Sequence, residues 1–419
     1  MRDVPDPSLS GGASPGDTAR PPMSEARTAA LGAGLVAIGP ITMALYTPAM
    51  PVLAQVFDTS DSMVKLTLTA YFTGFALTQL VCGPLTDAFG RKAVTLVFLA
   101  LYLVSTVMAT FAPTIEWMLV ARTMQGVGAS VGVAVSRAIV RDQFTGQTSA
   151  RIMNTIAMML ALGPALAPSI GGLTLEFFGW REIFWAMIVY GVGLTGAVLV
   201  ALRETNAYID RTHLRPGVLL RNYLSLMIDP RYLQPSLLVG FGIGTIYTLA
   251  TLLPFVLIDG VGLTPVEFGF GMMLQSGSFI AGTIVTGRLL KRVDATRLLP
   301  FSLSCMVVAG CLMIALLTLR APTFLGVMGP VGLFAFSLAM SLPSTSTAAL
   351  QGFPRIAGAA SSMMGFLQFG AGLLGSLVAA ALGDPLLGMI VVPPAMLFLA
   401  VGSYVGLGRY NRRGEASAP

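Results

Sequence analysis

The chain has 419 residues, of which 55% are hydrophobic and 11% charged, with a net charge of +6 and a mean hydropathy of +0.79. Soluble globular chains carry about 25% charged residues, so this composition excludes a water-soluble enzyme and sets most side chains against lipid or other helices. Cys82, Cys305 and Cys311 lie in apolar runs and His213 in a polar stretch, which leaves no disulfide framework, metal spacing or catalytic triad, and a packing role for the cysteines.

In chain order, residues 1–28 are polar and rich in Pro, Gly and Ser, so a disordered tail is expected there. The first apolar run behind it is expected to serve as an uncleaved anchor. A spanning helix needs roughly 20 mostly apolar residues. Twelve stretches meet that length. The first six are 29–50, 64–85, 93–112, 115–139, 152–175 and 183–202, and the second six are 233–257, 266–289, 298–319, 324–347, 357–382 and 386–407. Long apolar runs without alternation exclude a barrel, so the predicted fold class is an all-α polytopic membrane protein. The predicted domains are a six-helix bundle over 29–202, a central loop over 203–231, a second bundle over 232–408 and a tail over 409–419. Within the loop, Leu214, Val218, Leu219 and Leu220 suit either one face of a short surface helix or a plain linker.

With the N-terminus inside, 21 basic residues fall on the cytoplasmic side, and only Lys65, Arg122, Arg181 and Arg320 on the other. The positive-inside rule then puts both termini in the cytoplasm. The basic charge thus reflects topology, with anionic lipid headgroups as partners and no nucleic acid.

Between the second and third spans stands Gly83-Pro84-Leu85-Thr86-Asp87-Ala88-Phe89-Gly90-Arg91-Lys92. Gly83 and Gly90 permit close approach and tight reversal, and Asp87 can brace a helix end or Arg91. About 204 residues on, Gly287-Arg288-Leu289-Leu290-Lys291-Arg292-Val293-Asp294 keeps the basic charge but lacks the counterparts of Asp87 and Gly90. The fourth span carries Arg122-Thr123-Met124-Gln125-Gly126-Val127-Gly128. A cation that deep costs at least a few kcal/mol and must face water, a polar partner or a ligand, while Gly126 and Gly128 suit close helix packing. The fifth span holds Gly163-Pro164, Pro168 and Gly171-Gly172, a density that bends a helix and brings backbones together.

The first of these stretches resembles the loop signature of the major facilitator superfamily, and the weakened second copy resembles the parallel six-helix repeat of that fold, two pseudo-symmetric bundles. The Arg122 stretch is similar to an element tied in related exporters to proton coupling. The fifth-span pattern is similar to that of the antiporter branch. Pro48-Ala49-Met50-Pro51, Leu66–Tyr71, Ser136–Asp142, Gly179-Trp180-Arg181 and Phe366–Phe369 narrow the resemblance to the bicyclomycin-resistance (Bcr/CflA) drug-exporter family. That resemblance implies multidrug efflux across an inner membrane by a monomer, with a proton gradient and no cofactor or metal. It also implies an acidic residue four positions before Pro48, where this chain has Ala44.

The expected substrate cavity lies between the halves. Its first-half candidates are Met43, Tyr46, Tyr71, Phe75, Gln79, Arg122 and Gln125. Tyr247, Phe255, Gln275, Phe366 and Gln368 are the second-half candidates. Gly83, Asp87, Gly90, Arg91 and Lys92 are expected to act in conformational change, and Gly163, Pro164, Gly171 and Gly172 in one-way sealing. With a cation and no acid in the core, neutral, zwitterionic or anionic substrates fit better than dications. An uptake symporter or facilitator of the same fold is the main alternative. A membrane-embedded enzyme or receptor lacks a catalytic cluster or extramembrane domain.

Overall fold

Ser24 starts the first helix by accepting the Arg27 amide on its side chain. Helix formation therefore begins at Glu25, inside the stretch expected to be a disordered tail, and Arg27 fixes it by donating through Nε to the Ala201 carbonyl at 2.6 Å. The computed structural model describes residues 23–206, 216–290, 292–293, 295–353 and 356–416. The rest of the expected tail, His213, Leu214, Lys291 and Asp294 lie outside the described residues.

The first half comprises α1 (Glu25–Val56), α2 (Asp61–Phe89), α3 (Arg91–Thr110), α4 (Ile115–Arg141), α5 (Gly146–Phe177) and α6 (Trp180–Ala201). A short helix, α7 (Pro216–Ile228), follows. The second half comprises α8 (Pro230–Gly260), α9 (Pro265–Leu289), α10 (Ala295–Leu319), α11 (Phe324–Gln351), α12 (Ala357–Ala381) and α13 (Pro385–Ala416). Among the described residues eleven helices are long and apolar enough to cross a membrane. The 32-residue α5 is a continuous helix over the stretch expected to be the fifth span. The central loop is thus partly helical, and α13 continues through 409–416, residues expected to be tail.

Local side-chain and backbone geometry sets helix boundaries. Thr264 and Glu267 form a reciprocal capping box at α9, with Pro265 in the first turn, a pairing that satisfies two otherwise orphaned amide groups. Gly90, at φ +91°, turns the chain between α2 and α3.

Glycines set the helix crossings. A Cβ on Gly126 would strike the Tyr71 carbonyl, and one on Gly74 the Thr123 carbonyl, so α2 and α4 meet backbone to backbone. Gly128 does the same for α4 against the Tyr102 backbone of α3. Small residues let dispersion act over a wide contact where lipid offers no hydrophobic driving force. Each half carries its own apolar core. The halves meet along two seams, α2 against α12 and α5 against α9. Both described chain ends lie on one face, where the Met23 amide donates to Gln143 Oε1 at 3.0 Å, just beyond Arg141. This basic face also bears Arg91, Lys92 and Arg137.

Candidate functional site

Arg122 is fully buried on α4. Its Nη1 donates to Gln125 Oε1 at 2.5 Å, and Gln125 Nε2 donates to Thr106 Oγ1 at 2.8 Å. The guanidinium lies 4.3 Å from the ring centre of Tyr46 and 4.6 Å from that of Tyr71. Both phenols are held in place: Tyr46 shares a 2.6 Å hydrogen bond with Thr67, and Tyr71 donates to the Gly39 carbonyl at 3.0 Å. Two aromatic faces offset part of the cost of burying the cation. Arg122 Nε and Nη2 have no hydrogen-bond partner. No Asp or Glu is buried among the described residues, and Ala44 is buried two residues before Tyr46.

At the level of the expected cavity, aromatic rings pack across the seam. Phe75 stacks on Phe369 at 3.8 Å, Tyr247 on Phe369 at 4.6 Å, and Phe72 lies 5.2 Å from Tyr247. This aromatic wall joins α2 to α8 and α12 and closes the seam at that level. Of the predicted residues, Tyr46, Tyr71, Arg122 and Gln125 form one cluster, while Phe75 and Tyr247 belong to the wall. Phe366 is half-buried and packs against the first-half core. Met43 and Gln275 are buried and Gln368 half-buried, but no hydrogen bond among the described residues links them to Arg122. Phe72 and Phe369 are members that sequence reasoning did not select.

A cavity of about 440 Å³ lies nearer the basic face. It is lined by Gln79, Asp87, Arg137, Tyr223 and Ser361, among others. Residues expected to act only in conformational change, Gly83, Asp87 and Arg91, therefore also border space. Helix α7 roofs it through Val218, Leu219, Asn222 and Tyr223. Tyr223 donates to the Leu80 carbonyl, and burial pushes its phenol up to about 12, so it stays a donor.

Beside this cavity Arg91 gathers the loop. It pairs with Asp87 and with Asp142 Oδ2 at 3.0 Å, and donates to Thr86 Oγ1 at 2.7 Å. The Asp87–Arg91 brace was legible in the sequence; Asp142 and Glu204 as partners were not. Glu204 accepts the Arg91 amide at 3.0 Å and the Lys92 amide at 3.2 Å, a carboxylate cap on α3 supplied from beyond α6. The counterpart loop after α9 carries no such network among the described residues: Arg288 is exposed and Gly287 has open space beside it.

Two hydrogen bonds cross between the halves away from the basic face. Ser62 donates to the Ala380 carbonyl at 2.9 Å, and Ser169 to the Gly269 carbonyl at 3.0 Å. A Cβ on Gly171 would strike the Leu45 carbonyl of α1, and one on Gly172 the Pro265 carbonyl of α9. Gly163 faces only the Ile41 side chain, at 3.0 Å. Close backbone approach in α5 is therefore at Gly171 and Gly172 and not at Gly163, and α5 runs helical through Pro164 and Pro168. On this opposite face Lys65 is also buried, its Nζ without a hydrogen-bond partner and 5.0 Å from the ring centre of Phe255. Among the described residues no group of three or more His, Cys, Asp or Glu could hold a metal ion.

The sequence profile of the Major Facilitator Superfamily matches residues 32–380. The chain is 29% identical to the bicyclomycin resistance protein homolog of Haemophilus influenzae, over 89% of this chain and 94% of that one. It is also 29% identical to multidrug resistance protein D of Escherichia coli, over 82% and 86% of the two chains. Among solved structures, the xylose transporter of E. coli in a partially occluded inward-open conformation superposes with a TM-score of 0.71. At 11% identity, and with 92% and 97% of the chains covered, that likeness concerns the fold.

Proposed function

The chain belongs to the Major Facilitator Superfamily, and on that premise we propose that it is a secondary active exporter of drugs or hydrophobic small molecules working by alternating access. The observation that carries this reading is the buried Arg122 cluster beside an aromatic wall on the seam between two halves, with cross-links toward both faces. Breaking one set of links while keeping the other exposes the seam to one side at a time. The bicyclomycin- and multidrug-resistance names of the relatives support the substrate class. Aromatic walls suit varied apolar bodies.

The membrane is proposed to be a bacterial inner membrane, with both termini cytoplasmic. The bacterial relatives and the weight of basic charge on the chain-end face support this. Proton antiport is the proposed energy source, supported by the glycine pair at the crossings of α5. With Ala44 in the first helix, the proton route is sought at carboxylates near the faces, Asp61 and Asp87. A facilitator or solute exchanger is the second reading, favoured by the lack of a buried acid among the described residues.

Inside-out vesicles test the direction. Energised vesicles containing this chain should concentrate a hydrophobic drug inside, and an uncoupler should release it. Accumulation only in right-side-out vesicles would make the chain an uptake transporter.

A further inference from the structure

Two cations on the seam, Arg137 and Lys65, and one just behind it in the first half, Arg122, have neutral partners or none. Arg137, at the cavity near the basic face, donates to the Ser361 hydroxyl. Arg122, in the middle, has Gln125 and leaves two nitrogens unpartnered. Lys65, at the opposite face, is buried against Phe255 with its ammonium unpartnered. Arg91, outside this series, holds two carboxylates. The contrast matters because burying a cation without an anion is costly, and folds normally supply the counter-charge. The acidic charges that act on Lys65 are those of Asp61 and Asp384, and neither forms an ion pair with it.

From this series we infer that the substrates are organic anions with an aromatic body, and that Lys65 is a further binding residue on the exit side. The inference rests on the transport reading above and names its substrate class. A carboxylate offers Arg122 the acceptors that its Nε and Nη2 lack, and a two-pronged match to a guanidinium is the strong form of that contact. When the wall parts as the halves rock, the substrate ring replaces part of this stacking against Phe75, Phe369 and Tyr247. When the opposite face opens, Lys65 is the next cation on the seam, and the acids Asp61 and Asp384 near it disfavour return of the anion. A cationic substrate meets repulsion at each stage. A neutral one offers fewer and uncharged acceptors, so it meets the donors more weakly and leaves part of them unmet.

The full-length protein in proteoliposomes, with 2-naphthoate, 2-naphthamide and 2-naphthylmethylammonium as probes of one shape and three charges, tests this. Counterflow should favour the naphthoate over the amide by about tenfold, the scale of one charge-assisted hydrogen bond. Lys65→Met should lower naphthoate transport by a similar factor, lower amide transport several-fold less, and be rescued by Lys65→Arg. Preference for the ammonium probe, equal transport of all three, or no saturable naphthoate binding overturns the inference. So does an equal loss for all probes in Lys65→Met. Naphthoate that exchanges but never accumulates under an imposed gradient leaves the anion inference standing and removes active export instead.

Discussion

Arg137 of α4 reaches across the seam and donates through Nη1 to Ser361 Oγ of α12 at 3.0 Å. With the Tyr223–Leu80 bond it ties the halves together beside the cavity. A hydrogen bond to a charged group contributes about 1.5–3 kcal/mol. Ser361→Ala should therefore shift the population toward an open basic face. Amide hydrogen exchange over α7 and the start of α12 should rise several-fold, and unchanged exchange would show that the contact does not hold this face.

Asp87→Asn and Arg91→Met should separate switching from stability. The Arg91 side chain is 4% exposed and serves two carboxylates, whereas Asp87 is 33% exposed. Losing Arg91 leaves Asp142 with the Thr205 hydroxyl as its remaining partner, so thermal unfolding should show a cost of about 1.5–3 kcal/mol, the scale of a charged hydrogen bond. Asp87→Asn should cost less than about 1 kcal/mol, cut transport more than tenfold, and leave ligand affinity nearly unchanged. Lost equilibrium binding with intact turnover would place Asp87 in substrate contact instead.

Gly172→Ala should abolish transport at normal expression, because the added methyl meets the Pro265 backbone and the opposite face cannot close. Gly163→Ala should keep at least half of the rate, since only the movable Ile41 side chain is in the way. A cysteine placed at Ser62 should label faster from outside in the Gly172 variant. Equal rates and equal labelling in the two variants would dismiss the backbone crossing as the seal.

Arg122→Ala should abolish uphill transport in proteoliposomes with an imposed pH gradient. Gln125→Ala should do less, since Tyr46 and Tyr71 still hold the guanidinium. Normal gradient-driven transport in Arg122→Ala would remove that residue from its central role.

Hydropathy made the spans legible, and Gly90 marked a turn. Gly126 and Gly128 announced close packing, and the depth of Arg122 announced a site. Other features depend on partners far apart in sequence. Glu204 lies over 100 residues from the amides that it caps, and no local pattern signals such a pairing. Lys65 reads as an ordinary outer-face charge until α8 brings Phe255 over it. The ring contacts of Phe369 with Phe75 and Tyr247 join three helices distant in sequence, and composition does not record that.

The two apolar cores remain almost separate, with Ala250, Phe255 and Phe369 as the buried second-half residues in the first-half cluster and Tyr247, Phe366 and Leu373 packed against it. A nascent chain can thus complete a six-helix packing unit before the second half has emerged from the ribosome. Biogenesis need not wait for the whole polypeptide. Two fragments divided between Asn206 and Pro216, expressed together in one cell, should each insert and then assemble through α2–α12 and α5–α9 into a working pump.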